Sequence, residues 1–128
     1  MLLWGVTTAA RRFVEAIAAR DPDALRASLA PDVDFKGLTP RRLWEADSPE
    51  GVHDIVLGSW FEEQDRVVAV RDVTEGEVAD TRRIGYRLDL ELPDGRYAVE
   101  QQAYYREGPD GISHLRIVCS GFRPLTEE

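Results

Sequence analysis

The spacing of hydrophobic residues changes once along the chain, near Gln64, from the period of a helix to the period of a strand. Before this point, residues such as Phe13, Val14 and Ile17 recur at helical spacing and form one stripe. After it, apolar and polar residues alternate over four successive segments separated by turn signals. A chain that places its helices first and consecutive strands afterwards is typical of an α+β fold, with helices packed on one face of an antiparallel sheet.

Helix capping signals divide the first half of the chain. Thr7 or Thr8 is suited to cap a first helix, Asp21 precedes a proline at the start of a second, and Ser48 does the same for a third. The predicted elements are a helix to about residue 20, a helix over 24–30, a short strand over 33–35, a loop over 37–45 interrupted by Pro40, and a helix from 48 to about 61.

The second half predicts a meander of four strands. They are expected over residues 66–73, 79–92, 97–106 and 112–122, with Pro-Asp-Gly and Gly-Pro-Asp-Gly sequences at the last two turns. In the last two strands we take Val99, Gln101, Ala103 and Tyr105, and then Leu115, Ile117 and Cys119, as the inward sets, which leaves Glu100, Gln102, Tyr104 and Arg106 facing outward.

The charge balance disfavours two classes of partner. The 128 residues carry 16 basic and 24 acidic side chains, a net charge of −8, so neither nucleic acid nor an anionic membrane surface is an expected partner. The single cysteine forms no intrachain disulfide, and two histidines make no zinc pattern, so we expect a cytoplasmic protein without a metal or another cofactor. The length predicts a single domain over residues 1–128.

Three polar or reactive side chains interrupt the inward face of the predicted sheet. They are Tyr86, Gln101 and Cys119. A buried polar group must find a hydrogen-bond partner, so each of them marks either a pair that satisfies itself or the floor of a binding site. Cysteine at such a position is more typically an inert core residue than a nucleophile.

Several segments resemble the nuclear transport factor two-like superfamily, also called SnoaL-like or ketosteroid-isomerase-like. The resemblance covers about residues 7–124 and rests on the opening RRFVEAIAARDPDALRASLAPDVDF, the pair Trp60 and Phe61, and the strands YRLDLEL, VEQQAYYREGPDGI and LRIVCSGFRP. It implies a cone-shaped α+β barrel, in which a curved antiparallel sheet wraps a long N-terminal helix around an apolar pocket. It also implies a homodimer joined through the outer faces of the sheets. Members include isomerases, epoxide hydrolases, polyketide cyclases, dehydratases and binding modules without chemistry, so the fold leaves the function open.

The acid–base residues of the ketosteroid-isomerase branch are absent from the corresponding positions. The resemblance places Phe13 where that branch has a tyrosine, Lys36 and Gly37 where it has a general base, and Gln101 where it has a protonated aspartate. Asp34 and His53 stay as candidate bases. His53 and Asp54 are neighbours on a helix, where side chains diverge by about 100°, so we do not expect them to meet.

The sequence therefore predicts a pocket for a small hydrophobic molecule that bears a carbonyl or hydroxyl group. One hypothesis is an isomerase, cyclase or dehydratase of polyketide, steroid or terpenoid-like substrates; the alternative is a non-catalytic module that binds a ligand or a protein. Tyr86 and Gln101 would orient the substrate, with Asp34 or His53 as base. The candidate pocket walls are Phe13, Phe35, Trp44, Trp60, Ala103, Tyr105, Ile117 and Cys119.

Overall fold

In the computed structural model, which describes residues 8–125, three helices accompany one seven-stranded sheet. The elements are α1 (Ala9–Ala19), α2 (Pro22–Ala27), β1 (Leu29–Thr39), β2 (Arg42–Ala46), α3 (Pro49–Val56), β3 (Arg66–Val78), β4 (Thr81–Leu92), β5 (Gly95–Gly108), β6 (Gly111–Cys119) and β7 (Arg123–Pro124). The predicted α+β class, a curved sheet around the N-terminal helix, is confirmed.

The strands are ordered β2-β1-β6-β5-β4-β3, and β7 pairs with β5. All pairs are antiparallel except β1 with β6, which run parallel. The inward residues of the long strands meet the apolar stripe of α1 in one core, in which Phe13, Ile17 and Tyr105 are almost fully buried. The inward sets predicted from alternation on β5 and β6 are confirmed.

The helix starts follow the predicted caps. The Thr8 hydroxyl accepts a hydrogen bond from the Arg11 backbone, and the Asp21 and Ser48 side chains cap α2 and α3 in the same way. Thr7, the other predicted cap of α1, lies outside the described residues. The predicted end of α2 is wrong, since the Ser28 hydroxyl and N–H both bond to the Leu25 carbonyl and close the helix.

The chain leaves α3 earlier than predicted, at Val56 instead of about residue 61. The Gly58 N–H bonds to the His53 carbonyl and the Trp60 N–H to the Ile55 carbonyl, so the turn widens and helical pairing ends. This departure from the helix carries Trp60 toward the sheet, where it packs against Phe35.

The predicted loop over residues 37–45 is wrong, because this segment forms the hairpin of β1 and β2. Pro40 and Arg41 occupy the turn itself, so the proline removes no hydrogen bond from the ladder, and Arg41 takes a left-handed φ of 73°. The short strand expected over 33–35 is accordingly part of an eleven-residue strand.

The boundaries of two later strands also differ from the prediction. β3 continues to Val78 through a bulge at Asp72, whose φ is 57°. β6 ends at Cys119, because Gly121 turns the chain with a φ of 75°. That turn lays Phe122 against Phe61, with ring centroids 6.0 Å apart. Within residues 8–125 no helix has the length and hydrophobicity to cross a membrane.

Candidate functional site

An apolar cavity of about 190 Å³ lies where the end of α3 and the β1–β2 hairpin meet β5, β6 and the turn after β6. Three features described above form this site. They are the early end of α3, the β1–β2 hairpin, which the sequence did not predict, and the turn at Gly121. The lining residues are Thr39, Trp44, Trp60, Phe61, Val99, Gln101, Cys119, Gly121 and Phe122.

The polar floor of this cavity is formed by Gln101 and Cys119, and behind them Tyr86, which does not line the cavity, completes one row of side chains across three strands. Tyr86 on β4 is the register partner of Gln101 on β5, which in turn is the partner of Cys119 on β6. The Tyr86 hydroxyl donates to Gln101 Oε1 over 2.6 Å, and Gln101 Nε2 donates to Cys119 Sγ over 3.4 Å. The three inward interruptions of the sequence are therefore a single hydrogen-bonded row.

The hydrogen bonds of this row fix the orientation of the Gln101 amide. Burial raises the pKa of the Tyr86 phenol, and the nearby Cys119 sulfur adds to the effect, so the hydroxyl stays protonated and donates. Gln101 Oε1 therefore accepts from Tyr86, and the NH₂ group of the amide lies toward Cys119 and the cavity. Gln101 is 1% exposed, so this orientation is shielded from bulk water.

Aromatic rings form the walls. Trp44 and Trp60 meet edge to face, with centroids 6.4 Å apart, and Phe61 and Phe122 continue the wall on the other side. The Trp44 indole N–H donates to Thr39 Oγ1 over 2.8 Å, and the Arg42 guanidinium carbon lies 3.6 Å from the centroid of the Trp44 ring. Trp44 is thus held by its own hairpin.

The indole N–H of Trp60 differs from that of Trp44. Trp60 Nε1 is buried and has no hydrogen-bond partner among the described residues. The ring itself is fixed, since a Cβ added at Gly37 would lie 2.9 Å from both Trp60 Cζ2 and Phe35 Cζ. Gly37 is therefore what allows the indole to lie directly on β1.

The two candidate bases do not reach the cavity. Asp34 lies on the outer face of β1, where its carboxylate is 3.3 Å from Arg116 Nη1, and this guanidinium holds the pKa of Asp34 below its usual value. His53 lies on the surface of α3. The expectation that His53 and Asp54 do not meet is wrong: His53 Nδ1 is 3.0 Å from Asp54 Oδ1, because both short side chains lean toward each other outside the helix.

The structure divides the predicted pocket walls into two groups. Trp44, Trp60 and Cys119 line the cavity with Gln101, whereas the remaining wall residues belong to the packed core: Phe13, Phe35, Ala103, Tyr105 and Ile117. The sequence reading did not place Thr39, Phe61, Val99, Gly121 or Phe122 in the pocket wall, although the alternation of β5 makes Val99 inward and Phe61 adjoins Trp60.

A larger groove of about 460 Å³ runs between α1 and β3. Its apolar lining includes Val14, Val70 and Val73, and an ion pair of 2.7 Å between Arg11 and Glu75 links its two sides. Its only polar lining groups are the exposed side chains of Arg11 and Glu15. This groove is larger than the cavity above Gln101, but that cavity combines apolar walls with oriented buried polar groups, which is the arrangement typical of ligand sites.

The described part of the chain, residues 8–125, holds no group of three histidine, cysteine, aspartate or glutamate residues that could bind a metal ion. Among the described residues, the cavity is lined by one thiol, one hydroxyl, one amide, two indoles with their N–H groups, and hydrocarbon or phenyl groups. Its chemistry is that of neutral hydrogen bonding.

Comparison with known proteins identifies the fold. No protein-family model matches the sequence, and no curated protein matches it. Among solved structures, a Rhodopseudomonas palustris protein provisionally called an isomerase matches with a TM-score of 0.71 at 13% identity, covering 91% of this chain and 92% of that one. A protein of ketosteroid isomerase-like fold from Catenulispora acidiphila, solved in complex with trimethylamine, matches with a TM-score of 0.69 at 15% identity, covering 89% and 88%.

An epoxide hydrolase of the LEH-like type from M. tuberculosis matches with a TM-score of 0.65 at 12% identity, covering 88% of this chain and 80% of that one. The fold implied by the resemblance is thereby confirmed: the chain has a ketosteroid-isomerase-like fold.

Proposed function

We propose that the protein binds a small, neutral, mostly apolar molecule bearing a carbonyl or hydroxyl group in the cavity above Gln101. The observation that carries this proposal is the buried row of Tyr86, Gln101 and Cys119 beneath aromatic walls. Apolar walls supply most of the affinity of such a site, and a few oriented polar groups supply its specificity. The placement of the row at the cavity floor supports a ligand whose polar atom enters first.

The volume limits the size of the ligand. A cavity of roughly 150 Å³ is enough for benzene, and sites for drug-sized ligands begin at roughly 300 Å³. At about 190 Å³, this cavity suits a molecule with a single ring or a short branched chain. Within the predicted polyketide, steroid or terpenoid-like class, the size favours the smallest members.

Binding is a better match to the site than catalysis. Isomerase, cyclase and dehydratase reactions move a proton, which needs a side chain able to accept it near the operating pH. Gln101 does not ionise, burial raises the pKa of Tyr86, and the lining residues within 8–125 include no carboxylate or imidazole. The Catenulispora acidiphila protein was solved in complex with trimethylamine, an amine that is a cation when protonated. In this chain the N–H donors of the cavity disfavour a cation.

The proposal is tested by titrating acetophenone into the protein and following the heat of binding. Gln101→Met removes the amide while keeping an unbranched side chain, and we expect acetophenone affinity to fall about tenfold, the loss of one buried hydrogen bond. Gln102→Met is the matched control, because Gln102 is the exposed neighbour on the opposite face of β5. Absence of binding by acetophenone and by related single-ring ketones and alcohols would contradict the proposed function.

We also propose that the protein forms a homodimer through the outer face of the sheet. Three exposed apolar side chains stand in one row there: Leu43 on β2 pairs with Leu38 on β1, which pairs with Val118 on β6. The row continues to the exposed Gln102 on β5. Contiguous exposed apolar side chains are typical of an association surface, and a second copy of the chain would cover them.

Sedimentation at micromolar concentration tests this dimer. We expect Val118→Glu to shift the protein toward monomer, and Val78→Glu, at an exposed site on β3 away from the row, to leave it dimeric. A wild-type monomer at this concentration would refute the homodimer. A cytoplasmic location stays a prediction.

A further inference from the structure

The unpartnered N–H of Trp60 points to what the ligand carries. A buried donor without a partner costs roughly 1–3 kcal/mol, and nearly all buried polar groups in proteins are paired, so such a group calls for an explanation. Trp44 provides the comparison within the same wall. The chain supplies an acceptor for Trp44 Nε1, the Thr39 hydroxyl at 2.8 Å, and none of the described residues accepts from Trp60 Nε1.

The Trp60 ring has little freedom to move to a position where this N–H would find an acceptor. Its ring lies on Gly37 so closely that an added Cβ would clash, and it contacts both Phe35 and Trp44 with centroid separations of 6.4 Å. Its backbone N–H is held by the Ile55 carbonyl over 2.9 Å. The acceptor must therefore come to the indole. Trp60 is part of the cavity wall, so a molecule bound in the cavity can supply an acceptor if its oxygen reaches the buried Nε1.

The remaining polar atoms of the cavity are also donors. Gln101 Oε1 is already occupied by the Tyr86 hydroxyl, which leaves the NH₂ of Gln101 and the thiol of Cys119 toward the cavity. The Thr39 hydroxyl already accepts the Trp44 N–H. A hydroxyl group on the ligand would therefore find donors for its oxygen, but among the described lining side chains its hydrogen would have to share an oxygen that already accepts a hydrogen bond. A carbonyl oxygen uses the donors and needs no acceptor.

We propose that the site selects a carbonyl oxygen over a hydroxyl group, and that Trp60 is the specificity-determining residue whose indole N–H donates to that oxygen. This inference rests on the proposed function, since it names the class of molecule that the same cavity takes: a small neutral ketone, aldehyde or ester. The selectivity follows because a ligand without a carbonyl leaves a hydrogen-bonding group poorly paired, either in the protein or in the ligand itself. A hydrocarbon leaves the Trp60 N–H unpaired, and an alcohol has to place its own O–H on an oxygen that already accepts a hydrogen bond.

Three probes of nearly the same shape test the inference by calorimetric titration. They are acetophenone, α-methylbenzyl alcohol and α-methylstyrene, which replaces the carbonyl oxygen with a CH₂ group. We expect the wild-type protein to bind the ketone about tenfold more tightly than either of the others, as one buried hydrogen bond implies. In Trp60→Phe we expect the preference for the ketone over the hydrocarbon to narrow to what the Gln101 amide alone provides.

Trp44→Phe is the matched variant, because it removes an indole N–H that is already bonded to Thr39. It is expected to keep the ketone-to-hydrocarbon ratio of the wild type, and because it frees Thr39 Oγ1 to accept, it should raise the affinity for the alcohol relative to the other two probes. A direct measurement does not depend on affinities: the chain has three tryptophans, and the indole N–H resonance that disappears in Trp60→Phe should move strongly downfield when acetophenone is added.

The outcomes separate the inference from the function on which it rests. If none of the three probes binds the wild-type protein, the proposed function fails and the inference fails with it. If the probes bind but the alcohol matches the ketone, or Trp60→Phe weakens ketone and hydrocarbon alike, binding stands and the role of Trp60 is refuted. A Trp60 indole resonance that does not respond to bound ketone also refutes it.

Discussion

The hydrogen bond between Tyr86 and Gln101 can be measured by a double-mutant cycle, because both partners are buried and each has a close apolar substitute. Tyr86→Phe removes only the hydroxyl, and Gln101→Met keeps the length of the side chain. Each single change leaves its partner buried without the 2.6 Å bond that now joins them. A buried donor or acceptor left unsatisfied costs roughly 1–3 kcal/mol, so we expect each single variant to lose about 2 kcal/mol of unfolding free energy.

The double variant removes both polar groups at once, so neither is left unpaired. We therefore expect it to lose about as much as either single variant, which corresponds to a coupling energy of about 2 kcal/mol. Gln101→Met also removes the weaker bond to Cys119 Sγ at 3.4 Å, so it should be slightly the more destabilising of the two single changes.

Urea unfolding followed by tryptophan fluorescence measures the four free energies, at one protein concentration because association would add to stability. Each single variant should lower the midpoint without changing the slope, and thermal unfolding should move by roughly 3–5 °C for each kcal/mol. Costs that simply add in the double variant would refute the reasoning. Gln101 Oε1 would then not be committed to Tyr86, and the donor-only floor of the cavity would lose its basis.

Three further changes have expected outcomes. Gly37→Ala should destabilise the protein by roughly 1–3 kcal/mol in urea unfolding and weaken acetophenone binding, because the new Cβ would lie 2.9 Å from Trp60 Cζ2; unchanged binding would show that the position of Trp60 is not critical. Tyr86→Phe frees Gln101 Oε1 to accept, so the preference for ketone over alcohol should narrow in calorimetric titration, and an unaltered preference would argue against the pairing. Burial, together with nearby arginines, lowers the pKa of His114 from its usual 6.5, so the folded state disfavours the charged imidazole and stability should fall as the pH drops below about 6.5. In His114→Gln the urea midpoint should depend less on pH. A pH dependence of the midpoint equal to that of the wild type would contradict this role of His114.

Several features of the fold could be predicted from local sequence alone. The caps at Thr8, Asp21 and Ser48 depend on a side chain and a backbone N–H only a few residues away. The inward face of β5, including Gln101, follows from the two-residue period of an extended backbone. These predictions are confirmed because the interactions that decide them are short-range.

The local signals also misled in two places. The segment over residues 37–45 has a proline and no sustained hydrophobic period, yet it forms a hairpin. Pairing with β6 holds β1 in place, and Pro40 lies in the turn, where no ladder hydrogen bond is needed. The third helix keeps an apolar face as far as Trp60, but the wider turn after Val56 ends it. In both cases tertiary packing outweighed the local pattern.

The sequence by itself determined the α+β order of elements, the inward placement of Tyr86, Gln101 and Cys119, and a set of aromatic residues for the pocket. Only the tertiary structure decided that these three side chains form one row, that Asp34 faces outward, and that the N–H of Trp60 has no partner. The physical reason is the separation along the sequence of the groups that interact. Alternation and capping are set by neighbours along the backbone, whereas the bonds of Gln101 join residues 15 and 18 positions apart, and strand register and packing of the whole chain decide which groups meet.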